Sequence, residues 1–266
     1  MPSNGTTKGV VEAGGARISY GGRGTGVPVV LIHGNTGSSR WFQRVMDVPG
    51  CRTIALDMPN FGHSGPLPHE PSIDRYADAV TAFLSALGID RPVLVGHSLG
   101  GAVTISLAVR GPTLFRGLML VDSAAPSGLA TPEARYPFIE SMRTNREILA
   151  AALSAVAPTL KDQGFFAALV DDATLMAAPA WIGNARALSL FDYRGRCGAF
   201  TAPVLVVWGR KDVIVTEAMA RETAQAFPNA RLLVLEGVGH SVVAEDPPCF
   251  VSLLSDFVSG LGKDDA

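Results

Sequence analysis

The sequence predicts an α/β protein with a mostly parallel, doubly wound sheet and an inserted helical cap. Six short apolar runs alternate with longer amphipathic stretches, which is the pattern of parallel strands joined by crossover helices. The runs are continuously apolar rather than alternating, as in strands that helices cover on both faces. One interval, residues 126–202, interrupts this alternation with a sequence of helical composition. These three observations define the expected fold class.

Each predicted strand is an apolar run that stops at a turn or polar residue. The six strands are expected at residues 28–32, 52–56, 92–95, 117–121, 203–208 and 231–235. Upstream of them, residues 10–20 predict an antiparallel hairpin, with the pairs Gly14-Gly15 and Gly21-Gly22 as turns. The sheet should therefore begin with an antiparallel hairpin and continue mostly as parallel strands.

Helices are predicted where apolar residues are spaced three and four apart. Such a pattern runs from Ile73 to Leu87, with Ser72 as its N-cap and Gly88 as its stop. Residues 102–109 and 249–261 predict two more helices by the same spacing. Helices in these places fit the crossovers that parallel strands require.

The interval 126–202 is interpreted as a helical cap inserted in a single domain, whose core comprises residues 1–125 and 203–266. Its first helix is expected to start at Thr131-Pro132-Glu133, with Thr131 as N-cap and Pro132 at the first helical position. Its apolar and aromatic side chains should form one face that packs on the core. No linker or charge run divides the chain, so we expect one hydrophobic core.

Composition places the chain among ordinary globular proteins. Of its 266 residues, 47% are hydrophobic and 17% are charged, and the formal net charge is -2. That charge gives no reason to expect nucleic acid or an anionic membrane as a partner. The N-terminal residues lack the apolar segment of an export signal, and no apolar stretch reaches the ~18 residues of a membrane span. Three widely spaced cysteines suit a reducing compartment, so we expect a cytoplasmic protein, monomer or homodimer, that acts on a small-molecule substrate.

The segment Gly96-His97-Ser98-Leu99-Gly100 has the pattern G-x-S-x-G of a nucleophile elbow. The string alone is weak evidence, because chance matches are common in a chain rich in Gly and Ser. Its setting is specific, since a predicted strand precedes it and a predicted helix follows it. A sharp turn there lifts the hydroxyl of Ser98 above the sheet, and small neighbours let strand and helix pass closely. Ser98 is therefore the predicted nucleophile, and the alternative is a Gly-rich turn into a helix.

A serine hydroxyl needs a base to take its proton and an acid to orient that base. His240 follows the last predicted strand in a Gly-flanked loop, so it should stand at the carboxyl edge of the sheet near Ser98. Asp212 follows the preceding strand, which gives the chain order Ser, acid, His. Asp122 competes for the role of the acid because it also ends a strand. The predicted catalytic triad is Ser98, His240 and Asp212.

Attack on a carbonyl also needs donors for the developing oxyanion. Two backbone N–H groups are the candidates: that of Leu99, at the start of the helix after the nucleophile, and that of Asn35, which follows a strand end. Of the remaining histidines, His33 and His97 are expected to pack or hydrogen-bond locally at strand ends, and His63 and His69 are expected to be solvated in a polar loop.

In combination, five segments resemble the α/β-hydrolase superfamily, in its compact group of esterases, lactonases and carbon-carbon hydrolases. They are LIHGNTGSSRWF (31–42), ALDMPNFGHS (55–64), LVGHSLGGAV (94–103), VVWGRKD (206–212) and EGVGHSVVAEDP (236–247). The resemblance implies a serine nucleophile, an acyl-enzyme that water hydrolyses, and neither cofactor nor metal. Haloalkane dehalogenases and epoxide hydrolases look similar but carry Asp at the position of Ser98, so those reactions are disfavoured.

Two departures from the family patterns order the remaining activities. Carbon-carbon hydrolases usually carry Met after the nucleophile and an aromatic residue after the base, whereas this chain has Leu99 and Ser241. The expected function is therefore hydrolysis of a carboxylic ester or lactone in a small, largely apolar molecule, with carbon-carbon cleavage second. A slow-turnover ligand receptor on the same fold is a further alternative. Trp41, Trp181 and Phe191 are candidates for lining the substrate pocket, or for packing the core instead.

Overall fold

Eight strands form one sheet in the computed structural model, which describes residues 7–261. They are β1 (Thr7–Ala13), β2 (Ala16–Gly24), β3 (Val27–Ile32), β4 (Cys51–Leu56), β5 (Val93–His97), β6 (Gly117–Val121), β7 (Val204–Gly209) and β8 (Ala230–Leu235). Their order across the sheet is β1-β2-β4-β3-β5-β6-β7-β8. β2 runs antiparallel to both of its neighbours, and the other five neighbouring pairs are parallel. The sheet is therefore mostly parallel, as the sequence predicts.

The leading hairpin forms, but only one of its two predicted turns is correct. Gly14 and Gly15 have positive φ angles of 60° and 76° and connect β1 to β2. Gly21 and Gly22 instead lie inside β2, where they pair with both β1 and β4. The prediction of a turn there is wrong because β2 continues beyond them to complete its pairing with β4. The chain turns later, at residues 24–26, where two glycines have positive φ.

The described residues form nine α-helices. They are α1 (Ile73–Ala86), α2 (Leu99–Arg110), α3 (Tyr136–Thr144), α4 (Arg146–Val156), α5 (Gln163–Ala173), α6 (Ala178–Leu190), α7 (Glu217–Ala226), α8 (Val242–Glu245) and α9 (Pro247–Leu261). As predicted, Ser72 caps α1, because its hydroxyl accepts the N–H of Arg75 at 3.2 Å. Among these helices no single one has the length and apolar composition to cross a membrane; α5 and α6 pass only as a pair bent by 94°.

Four of these helices, α3 to α6, lie between β6 and β7 in the interval expected to form the cap. The predicted helix start is wrong by several residues, because Pro132 occupies the cap position of a 3-10 turn at Glu133–Arg135, and α3 begins at Tyr136. Thr131 lies outside the helix. Its N–H donates to the hydroxyl of Ser189 in α6 at 2.9 Å, which ties this part of the chain to α6 instead.

One apolar cluster includes residues of the sheet and of helices α4 to α6. Leu31 of β3 and Leu169 of α5 both belong to it, and both are fully buried. Helices α4, α5 and α6 therefore share a hydrophobic core with the sheet. The division into a core of residues 1–125 and 203–266 and a cap of residues 126–202 stays our proposal.

The carboxyl ends of β3, β5, β6, β7 and β8 lie along one edge of the sheet, since these strands are parallel and adjacent. The segments that follow them carry the polar residues on which the sequence predictions depend: Asn35, Ser98, Asp122, Asp212 and His240. The fold thus gathers five chemically capable residues from distant parts of the chain at one edge.

Candidate active site

Ser98 occupies a strained turn between β5 and α2. Its φ and ψ are 56° and -117°, a combination that residues with a side chain seldom adopt. Backbone hydrogen bonds hold the turn in place. The N–H of Ser98 donates to the carbonyl of Val121 at 3.0 Å, and the carbonyl of Ser98 accepts the N–H of Gly101 at 2.9 Å. This geometry is that of a nucleophile elbow.

Close packing requires glycine on either side of Ser98. A Cβ at Gly96 would collide with a side chain of α2, and a Cβ at Gly100 would collide with the carbonyl oxygen of Ile32. A Cβ at Gly34 would lie 2.9 Å from the Cβ of Ser98, so the loop after β3 passes directly beside the serine. The glycines of the motif therefore permit the contact between the strand, the helix and the neighbouring loop.

Asp212 and His240 form a buried pair on the segments after β7 and β8. Nδ1 of His240 lies 2.7 Å from Oδ2 of Asp212, and the two side chains are 6% and 0% exposed, respectively. Oδ1 of Asp212 accepts the N–H groups of Ile214 and Val215 at 2.7 and 3.0 Å. Asp212 is thus fixed by its own loop. It can hold the Nδ1 proton of His240, which leaves Nε2 as the basic nitrogen.

The pKa of His240 is raised above the ordinary value of 6.5 for a histidine. Burial is the largest single influence and acts to lower it, while the hydrogen bond to Asp212 and the negative charge of Asp212 are the next largest and raise it. The surroundings therefore favour the imidazolium form. A general base needs this property, because it becomes positively charged when it accepts a proton.

His97, directly before the nucleophile, supports the backbone of His240. Its Nε2 lies 2.8 Å from the carbonyl oxygen of His240, and since a carbonyl only accepts hydrogen bonds, Nε2 carries the proton. Burial, reinforced by the charge of His240, lowers the pKa of His97 to about 3, so the ring stays neutral. The sequence suggested only a local role for His97. The structure instead connects it to a residue 143 positions away.

The two predicted oxyanion donors lie on separate segments next to the nucleophile. Leu99 is the first residue of α2, where backbone N–H groups have no partner within the helix. Asn35 is held through its side chain, because its Oδ1 accepts Nδ2 of Asn184 at 2.8 Å. Asn184 is fully buried in α6, and its Oδ1 accepts the hydroxyl of Tyr76 at 2.8 Å. Buried polar groups of α1 and α6 therefore fix the loop that carries Asn35.

The loop after β3 is also fixed by a buried histidine and a buried carboxylate. Nε2 of His33 accepts the N–H of Met58 at 3.0 Å, so its proton sits on Nδ1, which donates to the carbonyl of Gly34 at 2.8 Å. Farther along the loop, the hydroxyl of Ser38 donates to Asp172 of α5 at 2.6 Å. The proposed oxyanion loop is thus held from the sheet side and from the cap side.

Hydrogen bonds connect the loop of His240 to the cap. The N–H of His240 donates to the carbonyl of Val156, at the end of α4, at 3.1 Å. Glu245 of α8 accepts the N–H and the hydroxyl of Thr159, at 3.1 and 2.6 Å, and also accepts the N–H of the residue before His240 at 3.0 Å. We call residues 156–159 the cap turn. Nothing in the sequence suggested this connection.

The three aromatic residues predicted as pocket candidates are all buried. The ring centroid of Trp41 lies 6.1 Å from that of His97, and its Nε1 has no hydrogen-bond partner among residues 7–261. Trp181 donates from Nε1 to a carbonyl of the turn before α6 at 3.2 Å. Phe191 stacks on Tyr193 with ring centroids 4.8 Å apart. A role in the pocket remains a proposal for all three.

Asp122, the competing acid, lies near Asp212 and His240 but is bonded differently. Its Oδ1 accepts the N–H of Gly209 at 2.9 Å, and its Oδ2 has no hydrogen-bond partner in the described chain. One atom from each of Asp122, Asp212 and His240 lies within 4.8 Å of the others, a spacing that could hold a metal ion. However, the 2.7 Å contact between Nδ1 of His240 and Oδ2 of Asp212 is that of a hydrogen bond, which fixes these two residues as a pair. We therefore interpret the group as a hydrogen-bonded cluster.

A mostly parallel sheet with a nucleophile elbow after a central strand, and an acid and a histidine on later segments, defines the class of alpha/beta hydrolases. Residues 29–251 match the family described as "Alpha/beta hydrolase family". The chain belongs to this family, and it is a hydrolase.

The proteins to which this chain is similar have several different activities. Over 88% of its length the chain is 32% identical to a "Dihydrolipoyllysine-residue acetyltransferase component of acetoin cleaving system" from Pseudomonas putida, and it spans 64% of that relative. It is 30% identical to a "2-hydroxymuconate semialdehyde hydrolase" from Pseudomonas putida, over 94% of this chain and 93% of the relative. The crystal structure of the enol-lactonase from Burkholderia xenovorans LB400 superposes with a TM-score of 0.85, covering 94% of this chain and 100% of that one. At 22% identity, this last match shows the shared fold.

Proposed function

We propose that this hydrolase cleaves a carboxylic ester or a lactone in a small, largely apolar molecule. The observation that carries the proposal is the 2.7 Å hydrogen bond between Asp212 and His240, at the sheet edge where Ser98 holds its strained turn. Ser98 is the proposed nucleophile, His240 the general base and Asp212 the acid that orients the base. The backbone N–H groups of Asn35 and Leu99 are the proposed oxyanion hole.

The proposed reaction proceeds through an acyl-enzyme. Oγ of Ser98 attacks the carbonyl carbon while its proton passes to Nε2 of His240, and the carbonyl oxygen becomes an oxyanion. When the intermediate collapses, the bond to the leaving oxygen breaks, and that oxygen takes the proton from His240. Water then attacks the acyl group in the same way, which releases the acid and restores Ser98. In a lactone, the alcohol and the acid belong to one product molecule.

The charges around the base support an uncharged substrate. Near the base, Asp212 is the carboxylate that acts on both His97 and His240, and Glu245 adds a second negative charge that acts on His240. A negative field of this kind disfavours a substrate that brings its own carboxylate, and it leaves a neutral ester or lactone unaffected. Short or medium acyl esters and neutral lactones are therefore the proposed substrate class.

Carbon-carbon hydrolysis is the second candidate, and the similarity to the semialdehyde hydrolase favours it. That relative is 30% identical over nearly the whole length of both chains. The residue after the proposed base argues against it, since Ser241 is fully buried with its hydroxyl 3.4 Å from Nε2 of His97. An aromatic side chain, which the carbon-carbon hydrolases usually carry there, would not fit the same space.

An activity panel with two serine variants tests the proposed function. Purified protein should release p-nitrophenol from short acyl esters, and Ser98→Ala should lower kcat by roughly 10⁴-fold or more. Ser252→Ala, an exposed position on α9, is the matched control and should keep the wild-type rate. Full activity in Ser98→Ala would refute the nucleophile. Faster cleavage of a vinylogous 1,5-diketone than of any ester or lactone would establish the second candidate instead.

The molecular setting is also a proposal. We propose a cytoplasmic protein that needs neither cofactor nor metal, binds neither nucleic acid nor membrane, and acts as a monomer or homodimer. Cys51, Cys197 and Cys249 are free thiols, which supports a reducing compartment. Light scattering of the purified protein would give its oligomeric state.

A further inference from the structure

Asp122 is a buried carboxyl group that the proposed reaction does not use. The residue is 1% exposed and has a φ of 45°, which Asp, Asn and Gly tolerate better than other residues. Its N–H donates to the carbonyl of Val207 at 2.9 Å, and its Oδ1 accepts the N–H of Gly209 at 2.9 Å. The first bond holds the backbone and the second holds the side chain of Asp122 against the end of β7, three residues before Asp212.

An unpartnered oxygen and an open acceptor position lie close together here. Oδ2 of Asp122 is buried without a hydrogen-bond partner in the described part of the chain. An ionised carboxylate offers about four acceptor positions. Those of Asp212 hold three hydrogen bonds, two from backbone N–H groups and one from His240. One oxygen of Asp122 lies within 4.8 Å of one oxygen of Asp212, so a proton on Asp122 would satisfy its unpartnered oxygen close to the open acceptor position of Asp212.

We propose that Asp122 holds a proton at neutral pH and donates it in a hydrogen bond to Asp212, which makes Asp122 a positioning residue for the base. This inference rests on the proposed function for the roles of Asp212 and His240. If Asp122 were ionised, two buried carboxylates within 4.8 Å of each other would both carry a negative charge, which is unfavourable. The neutral form instead adds a fourth hydrogen bond to Asp212 and helps to fix the carboxylate that orients His240.

The groups that face Asp122 favour the protonated form. Burial is the largest influence, and it raises the pKa of Asp122 to about 8 against the opposing charge of His240. The negative charges of Asp212, after β7, and of Glu245, in α8, act in the same direction as burial, while the N–H of Gly209 opposes them. At pH 7 the carboxyl group is therefore neutral, and it ionises only as the pH rises through about 8.

Two substitutions at position 122 separate the proposed donor from the backbone. Asp122→Asn tolerates the positive φ, keeps an acceptor for Gly209 and a donor for Asp212, and does not titrate. Asp122→Gly tolerates the same φ but removes both groups. We expect kcat of the Asn variant to stay within about threefold of wild type. We expect kcat of the Gly variant to be lower by roughly tenfold or more, because Asp212 loses the proposed hydrogen bond from position 122.

The pH profile of kcat/KM distinguishes this role from a merely structural one. Wild type should lose activity above about pH 8, as Asp122 ionises, and Asp122→Asn should lack this alkaline limb. The acid limb set by His240 should keep its midpoint in Asp122→Asn, since one neutral group replaces another. If Asp122 were ionised in wild type, Asp122→Asn would remove a negative charge near His240. The midpoint of the acid limb would then fall by about one pH unit or more. Such a shift, or an alkaline limb retained in the Asn variant, would overturn the inference.

Infrared difference spectroscopy provides a readout that needs no turnover. On a Ser98→Ala background, the carbonyl stretch of a protonated carboxylic acid should be present well below pH 8, disappear well above it, and be absent from the variant that also carries Asp122→Asn. Absence of this band in the parent at neutral pH refutes the inference and leaves the proposed function intact. Conversely, full activity of Ser98→Ala refutes the proposed function while the band still decides the protonation of Asp122.

Discussion

Replacing Asp212 by Asn tests how the acid acts on the base. Oδ1 of Asp212 accepts two backbone N–H groups of its own loop, and Oδ2 faces Nδ1 of His240. An Asn side chain keeps its carbonyl oxygen on those two donors, because an amide nitrogen cannot accept them. Its NH₂ group then faces His240, which must present a lone pair on Nδ1 and move its proton to Nε2. In that tautomer Nε2 cannot take the proton of Ser98.

The size of this effect follows from two contributions. The variant loses a charge-assisted hydrogen bond worth about 1.5–3 kcal/mol, which also stabilised the imidazolium formed during the reaction. It must also reach the minor tautomer of His240 before each attack. The same exchange in serine protease triads costs on the order of 10⁴ in kcat, or about 5 kcal/mol, and we expect a loss of that size here. Stability should change little, because the two loop hydrogen bonds survive.

The assay compares kcat for Asp212→Asn and Asp122→Asn on the best ester, with thermal unfolding as the control for folding. We expect a loss on the order of 10⁴ for the first variant and of at most about threefold for the second. If the two losses are exchanged, Asp122 is the acid and the assignment of Asp212 is wrong. If neither variant loses activity, the triad itself must be abandoned.

Three further expectations concern pH, the cap turn and the nucleophile elbow. Because the pKa of His240 is raised above 6.5, kcat/KM should fall as the pH drops through a midpoint above 6.5, and a lower midpoint in the rate profile would contradict this. Thr159→Val removes the 2.6 Å hydrogen bond to Glu245 and should lower the unfolding free energy by about 1 kcal/mol, whereas an unchanged urea midpoint would show that the bond is not formed. Gly100→Ala drives a Cβ into the backbone of β3 and should cost about 3 kcal/mol. Gly237→Ala, with nothing within 4 Å, should stay within about 0.5 kcal/mol, and equal melting temperatures for both variants would refute the packing argument.

Most of the sheet could be predicted because buried parallel strands leave a local signal. β3 to β8 begin and end within two residues of the apolar runs that predicted them. The errors fall where a local pattern has two solutions. Gly21-Gly22 is compatible with a turn and with a strand, and pairing with β4 makes it a strand. Thr131-Pro132 is compatible with a helix start and with a bend, and the hydrogen bond from Thr131 to Ser189 holds it outside the helix.

The sequence predicts the site only where a chemically reactive residue lies close to the end of a strand. Ser98 follows β5 directly, and Asp212 and His240 lie three and five residues after the ends of β7 and β8, so the sheet brings all three to one edge. The supporting contacts carry no such signal, because they join residues far apart in the chain. His97 reaches across 143 positions, and the bond between Asn35 and Asn184 spans 149. The protonation of a carboxyl group such as Asp122 depends on its burial, which the sequence does not give directly.

The bond from the N–H of His240 to the carbonyl of Val156 limits how new specificities can be built on this scaffold. A cap taken whole from a relative would replace the carbonyl that holds the backbone of His240 and the hydroxyl that Glu245 accepts. Swapped enzymes of that kind would change selectivity and lose rate together. A chimera that keeps residues 156–159 and exchanges only α3 would change selectivity without changing the rate. Helix α3 is therefore a segment that directed evolution can vary while the geometry of proton transfer at His240 is preserved.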